Sequence, residues 1–333
     1  MAKKVKIKLT TIILAVIFSF SICIIPTNAK TAEVIIGGET FGLKLYCKGV
    51  MVIRLEKFRS GRDTVCPAKD SGIKVNDVIT EADSTTIKSN EQLSEIIKKS
   101  KGKTVTLTVL RNDIEMIKKI KAEKNENGDY YSGMWIRDSC AGLGTISYYN
   151  PDNMTYGALG HGICDIESGG LMQSNSGEIL KAKITSVTKS TNHGIGTLNG
   201  YFTDKKIGTI CKNSPLGIYG KLSSIPNKPK TQVASSNEIR AGKAYIYSTI
   251  KGQTPKKYNV RIVDICNTDT NSNRNLIIKI TDKRLIKGAN GIVQGMSGSP
   301  IVQNNKLVGA LTHVFLDDSS MGYAVLGENM VKN

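Results

Sequence analysis

Ser297 stands in Gly295-Met296-Ser297-Gly298-Ser299-Pro300. A serine followed by glycine on a tight turn can leave its hydroxyl unshielded, because the glycine places no Cβ beside it. Gly295 can bend so that the N–H groups of Gly295 and Ser297 point to one spot, the arrangement that stabilises an oxyanion. The chemistry this permits is nucleophilic attack on an acyl group. Ile301 to His313, turning at Asn304-Asn305, is the hairpin that would hold the turn on a rigid sheet.

A serine hydroxyl needs a base, and the chain has three histidines. His161 sits in Gly160-His161-Gly162, where the flanking glycines allow another backbone to approach closely. His193 lies in a polar Thr-Asn-His-Gly turn, and His313 on the second strand of the hairpin after Ser297, where a substrate wall and a packed core are equally good readings. His161, Cys164 and Asp165 could form part of a metal site, but no second ligand pair follows, so no metal is expected.

The elements that must position these groups are mainly β. From about Met134 onward, short apolar runs alternate with Gly, Asn and Ser turns: 142–148, 180–187, 258–265, 276–280, 301–303 and 307–315. Long amphipathic helices are absent from the pattern, which favours a barrel or sandwich. Residues 33–122 have a different character. Strands are expected at 34–36, 42–46 and 49–55, then Pro67-Ala68 to Ile79, then a helix that Ser89 caps with Gln92 reaching back. Thr104 to Leu110 alternates like a half-buried strand. The stretch Pro67-Ala68-Lys69-Asp70-Ser71-Gly72-Ile73 to Asp77-Val78-Ile79, with the following helix and strand, resembles a bacterial PDZ domain, although Asn76 replaces the usual glycine. The resemblance implies that a peptide adds as a strand beside Phe41-Gly42-Leu43, with the helix at 90–99 as the other wall. Residues 123–133 are expected to be a polar linker, and 134–333 the catalytic domain.

The N-terminus sets the compartment. A basic stretch precedes a 16-residue uncharged apolar run at 10–25, and Pro-Thr-Asn-Ala follows before Lys30. This is an export signal with cleavage after Ala29, or a retained membrane anchor; both place the rest outside the cytosol. The chain has 333 residues, room for about two domains. Its charge of +18 is scattered and mostly Lys, and aromatics are 6%, so nucleic acid is not the expected partner. Six of the seven Cys follow Ala29 without a C-x-x-C, and mostly buried free thiols are expected.

The serine turn and hairpin resemble the nucleophile loop of chymotrypsin-like serine proteases. Gly291 to Pro300 together with Gly160-His161-Gly162, behind a PDZ domain and a signal segment, is similar over residues 34–333 to the stage IV sporulation protein B peptidases. That resemblance implies a PDZ domain followed by a chymotrypsin-like double β-barrel, with Ser297 as nucleophile, His161 as general base, and no cofactor. It matches Asp282 to the family's acidic position. Asp204 is the rival, in an order more like ordinary chymotrypsin relatives; Asp165 and Asp264 are weaker. Met296 replaces the acid that precedes the nucleophile in those relatives. The expected activity is exported serine endoproteolysis during endospore formation, in the space between forespore and mother cell. There the enzyme would cut itself and then the extracytoplasmic part of a membrane-bound regulator, releasing an intramembrane protease that activates a late mother-cell sigma factor. An envelope quality-control protease is disfavoured because those carry PDZ after the peptidase. A non-catalytic peptide-binding scaffold is disfavoured by Ser297 and His161.

Overall fold

Two long strands organise the molecule. β1 is Glu33–Ile36, β2 is Thr40–Leu55, α1 is Pro67–Asp70, β3 is Val78–Ala82, α2 is Asn90–Lys99, β4 is Thr104–Arg111, β5 is Ile114–Lys121 and β6 is Met134–Asn150. β2 and β6 pair antiparallel from Met134↔Leu55 to Thr145↔Thr40, a ribbon that serves both halves of the protein. The computed structural model describes residues 32–333 except 192, 267 and 268, so the expected export signal lies outside the described residues. Residues 33–333 form one compact unit.

The PDZ domain uses the second half of β2. Val50 and Met51 pair with β3, β3 pairs with β4, and β4 with β5. Its core includes Val52, Ile73, Ile79, Leu93, Ile97 and Leu107. Ser89 caps α2 by accepting from the Gln92 amide, while Gln92 reaches back to the Lys88 amide. The first amide of α2, from Asn90, donates to Asp138 of β6 at 3.0 Å. Asn76, where the family pattern has glycine, adopts φ +74, a left-handed conformation that asparagine tolerates. Asp77 then accepts both arms of Arg111, at 2.6 and 2.7 Å.

The peptidase part holds the rest. β7 is Thr155–Ala158, β8 Ser174–Thr188, β9 Thr197–Ile210 and β10 Gly217–Lys221. β11 is Gly242–Ser248, β12 Lys256–Ile265, β13 Leu276–Ile280, α3 Lys283–Ala289, β14 Pro300–Gln303, β15 Lys306–Val314 and β16 Met321–Leu326. The first half of β2 lies between β6 and β8, and β6 continues through β7 to β10. The C-terminal strands close a barrel in the order β11-β12-β13-β16-β15-β14. The mainly β architecture, a PDZ domain followed by a peptidase part that ends in a closed barrel, agrees with the expected class. The hairpin turn falls at Asn304 and Asn305, both with positive φ (50° and 59°), the pairing a two-residue turn demands.

Three expectations need correction. Residues 42–46 and 49–55 are not separate strands of the PDZ domain but one strand. Its first half belongs to the peptidase sheet, so Glu33 to Cys47 pack with the catalytic part. Consequently Phe41, Gly42 and Leu43 cannot receive a peptide strand. Gly144, Leu143 and Gly142 pair with them on one edge, and Lys181, Leu180 and Ile179 on the other. All three residues are buried, and a Cβ on Gly42 would meet the Phe202 ring at 2.4 Å. Among the described residues the cysteines are free, but only Cys66 is buried; Cys164, Cys211 and Cys266 are exposed.

Candidate active site

The turn around Ser297 is built by glycine and by hydrogen bonds that fix each peptide plane. Gly295 has φ +96 and Gly298 φ +94. The Gln294 carbonyl accepts from the Leu198 amide at 2.9 Å, which orients the next N–H, that of Gly295, the opposite way. The Met296 carbonyl accepts from the amide and hydroxyl of Ser299, which does the same for the Ser297 N–H. Neither the Gly295 nor the Ser297 amide has a hydrogen-bond partner among the described residues. Two unspent donors two residues apart are the chemistry of an oxyanion hole. The carbonyls on this turn are also tied down. Ser297 O accepts from Thr145 N at 3.0 Å, and Gly295 O from Thr145 Oγ1 at 2.9 Å. Met296 is fully buried in the core of the C-terminal barrel, an apolar anchor beneath the turn.

His161 follows β7 through Leu159 and Gly160, both with positive φ (68° and 71°). For leucine this is a strained conformation, and it redirects the chain so that His161 faces the Ser297 turn. The Leu159 amide donates to Thr145 O, and Gly298 lies so close that a Cβ there would meet Thr145 O at 2.0 Å and Leu159 N at 2.6 Å. Thr145 of β6 is therefore bonded to both loops, that of Ser297 and that of His161. Asn213 secures the chain beyond His161: its side chain accepts from Ile163 N and donates to the Ile163 and Met172 carbonyls. Arg137 of β6 reaches Asp165 at 3.0 Å from the other side.

Ser297 and His161 line one cleft of about 620 Å³, together with Ser139 to Leu143 of β6 and Cys164. His161 Nδ1 lies 2.8 Å from the Gly162 carbonyl, so it carries the proton and leaves Nε2 as the acceptor. Burial pushes the His161 pKa down, and the bond to Gly162 partly opposes this. Ser297 Oγ donates to Thr312 O at 2.9 Å rather than to His161. His313 stands beside His161, with ring centroids 5.2 Å apart. Its Nδ1 is buried without a partner among the described residues, and its pKa is pushed down to about 4 by burial first, then by His161 and Arg274.

Asp282, matched by resemblance to the triad acid, does not meet His161 here. It caps α3, accepting from the Arg284 amide and from the Asn259 amide, and pairs with the Arg284 side chain at 2.8 Å. These bonds, the Arg284 side chain first, hold its carboxyl well below the usual carboxylate range. Asp204 is exposed on β9, and Asp264 is exposed on β12. Asp165 lines the same cleft and is buried; its Oδ1 accepts from the Glu167 and Ser168 amides, while its Oδ2 lies 3.0 Å from Arg137 Nε as an ion pair and has no hydrogen bond among the described residues. His193 is in an exposed turn. Sequence reasoning missed the Gly162 carbonyl as the group on His161 Nδ1, and it missed Asn213. A lone Asn gives no signal until the loop it holds is known.

The family model for SpoIVB peptidase S55 matches residues 128–331, and that for the PDZ domain matches residues 49–121. No curated protein matches the chain. Among solved structures the chain is similar to the PDZ domain of the SdrC-like protein Lmo2051 from Listeria monocytogenes, at 26% identity, over 27% of this chain and 87% of that one, with TM-score 0.22. It is also similar to the Rv3671c protease from M. tuberculosis. The active form matches at 14% identity over 58% of this chain and 72% of that one, with TM-score 0.35. The inactive form matches at 14% identity over 57% and 81%, with TM-score 0.34.

Proposed function

Because the chain belongs to the SpoIVB peptidase S55 family, we propose that it is an exported serine endopeptidase of endospore formation in which Ser297 attacks and His161 takes its proton. The serine endopeptidase activity itself follows from membership. The observation that carries the residue assignment is the shared cleft: an oriented imidazole, a serine hydroxyl and two unspent amides on one turn. In the reaction, Ser297 Oγ leaves Thr312 O and turns toward His161 Nε2. His161 accepts the hydroxyl proton as Oγ adds to the scissile carbonyl, and the Gly295 and Ser297 amides receive the oxyanion. His161 returns the proton to the leaving amine, and water repeats the sequence on the acyl-enzyme. The Gly162 carbonyl keeps the tautomer correct, the task an acid performs in a triad.

The finer reading is regulatory. The enzyme cuts its own N-terminal part and then the extracytoplasmic part of a membrane-bound regulator, which frees an intramembrane protease to activate a late mother-cell sigma factor. The PDZ domain ahead of the peptidase and the apolar run at 10–25 support it. Expression of wild type and Ser297→Ala side by side, with fragments read by intact mass, tests self-cutting. N-terminal fragments present only in the wild type are expected; the same fragments from both proteins would assign the cut to a host protease.

A further inference from the structure

β6 is open where a polypeptide would need it. Among the described residues its second edge has no strand partner from Trp135 to Gly144, the Met134 amide and carbonyl being taken by Ser132 Oγ and Tyr131 Oη, and pairing with β7 begins only at Ile146. Side chains along this stretch are half-buried or exposed, apart from Met134 and Gly144. At one end, Met134 and Ile136 face Leu93, Ser94 and Ile97 of α2 across a groove of about 250 Å³. At the other end, Ser139 to Leu143 line the catalytic cleft. Thr145, just beyond, donates to the Ser297 carbonyl. The groove wall that the PDZ pattern assigns to β2 is thus supplied by a strand of the peptidase, and the same strand leads to the nucleophile.

We propose that β6 is a single substrate track: a polypeptide substrate docks as an extended strand on its open edge, held between β6 and α2 at one end and cut at Ser297 at the other. This rests on the serine peptidase reading of the cleft. An unpaired edge with free amides and carbonyls beside an apolar helix face is the surface that takes an added strand. The occupant is an unfolded polypeptide rather than a short peptide, because from Ile136 to Thr145 a strand spans roughly 30 Å. A substrate must be extended over about nine residues to touch both ends at once. Folded segments cannot enter, since the main chain itself must pair with β6. The apolar lining at Leu93, Ile97, Met134 and Ile136 selects a bulky apolar side chain at the far end. Binding there makes attack at Ser297 effectively intramolecular, so the PDZ groove raises kcat/KM for long substrates only.

The test uses full-length Ser297→Ala protein and β-casein, a disordered polypeptide, with amide hydrogen exchange as the readout. Protection is expected over residues 134–143 and in α2 when casein is added. Absence of protection over 134–143, whether or not other segments respond, overturns the proposal. Ser94 is exposed on α2, so Ser94→Trp plugs the groove without entering the core. In an otherwise wild-type enzyme it should slow casein cleavage about tenfold or more, with an unchanged thermal midpoint as the folding control. Lys119→Trp, on the exposed edge of the PDZ domain away from the groove, should leave cleavage as it is. Equal cleavage by the wild type and Ser94→Trp also overturns the track. Failure of the catalytic reading shows separately, as casein cleavage that survives Ser297→Ala or is absent from the wild type, and it leaves the exchange result standing.

Discussion

The hydroxyl of Ser297 donates to the backbone carbonyl of Thr312 at 2.9 Å, and Thr312 is itself fixed by its own hydroxyl donating to the Asn273 and Tyr323 carbonyls. The hydroxyl is held on a carbonyl of β15, in the same cleft as the His161 imidazole. Catalytic hydrogen bonds are often unformed without substrate, and moving one hydroxyl between staggered rotamers costs little. The prediction for Ser297→Ala follows. Casein cleavage is lost, while urea unfolding shifts by about 1 kcal/mol or less, since one part-buried bond to a carbonyl disappears. A larger loss of stability would mean that the Thr312 contact holds the loop together.

The pH dependence follows from the paired imidazoles. His161 must be neutral to act as base, and burial lowers its pKa below the ordinary 6.5. The acid limb of kcat/KM should therefore fall below pH 6.5, with the rings titrating as a pair. His313 adds a stability effect of fixed sign. Its folded pKa, about 4, lies below the ordinary 6.5, so the unfolded chain binds the proton first as pH falls. Stability tied to His313 is fully present above 6.5 and is lost as pH falls toward 4. Urea midpoints at pH 7 and pH 4.5 should differ less for His313→Phe than for the wild type.

Asp282 is expected to matter for α3 rather than for His161. Asp282→Ala should cost about 1–2 kcal/mol through the lost cap. Asp282→Asn, which can still cap, should cost less and retain casein cleavage. The lowered carboxyl pKa contributes stability present above its ordinary value of 3.8 and lost as pH falls below it. Loss of cleavage in Asp282→Asn with an unchanged circular dichroism spectrum would return Asp282 to the imidazole.

Gly298 is the tightest joint in the site. An added Cβ would strike Thr145 O and Leu159 N, and φ +94 is strained for any L side chain. Gly298→Ala should remove casein cleavage and lower stability by about 2 kcal/mol or more, by displacing the Ser297 and His161 loops together. Full activity in that variant would show that Thr145 does not couple them.

What the sequence made legible was local. The Ser297 turn, the Asn304-Asn305 hairpin and the Ser89 cap each rest on residues within a few positions, whose conformational preferences decide the outcome. The misplaced peptide site depended on distant pairing: Phe41 to Leu43 look like an edge until β8, more than a hundred residues later, covers it. The pairing of Asp282 was hidden for the opposite reason, a partner two residues away that the family spacing does not display. The meeting of His161 and His313 joins the large sheet to the closed barrel and has no signature in either segment.

The central claim is that Ser297, made reactive by His161, is the nucleophile. Fluorophosphonate labelling of the full chain, read by intact mass and peptide mapping, tests it most directly. The account predicts a single adduct on Ser297 in the wild type, none in Ser297→Ala, a strongly slowed adduct in His161→Ala, and an adduct retained in Asp282→Asn. An adduct elsewhere, or labelling of Ser297 at the wild-type rate without His161, would contradict it.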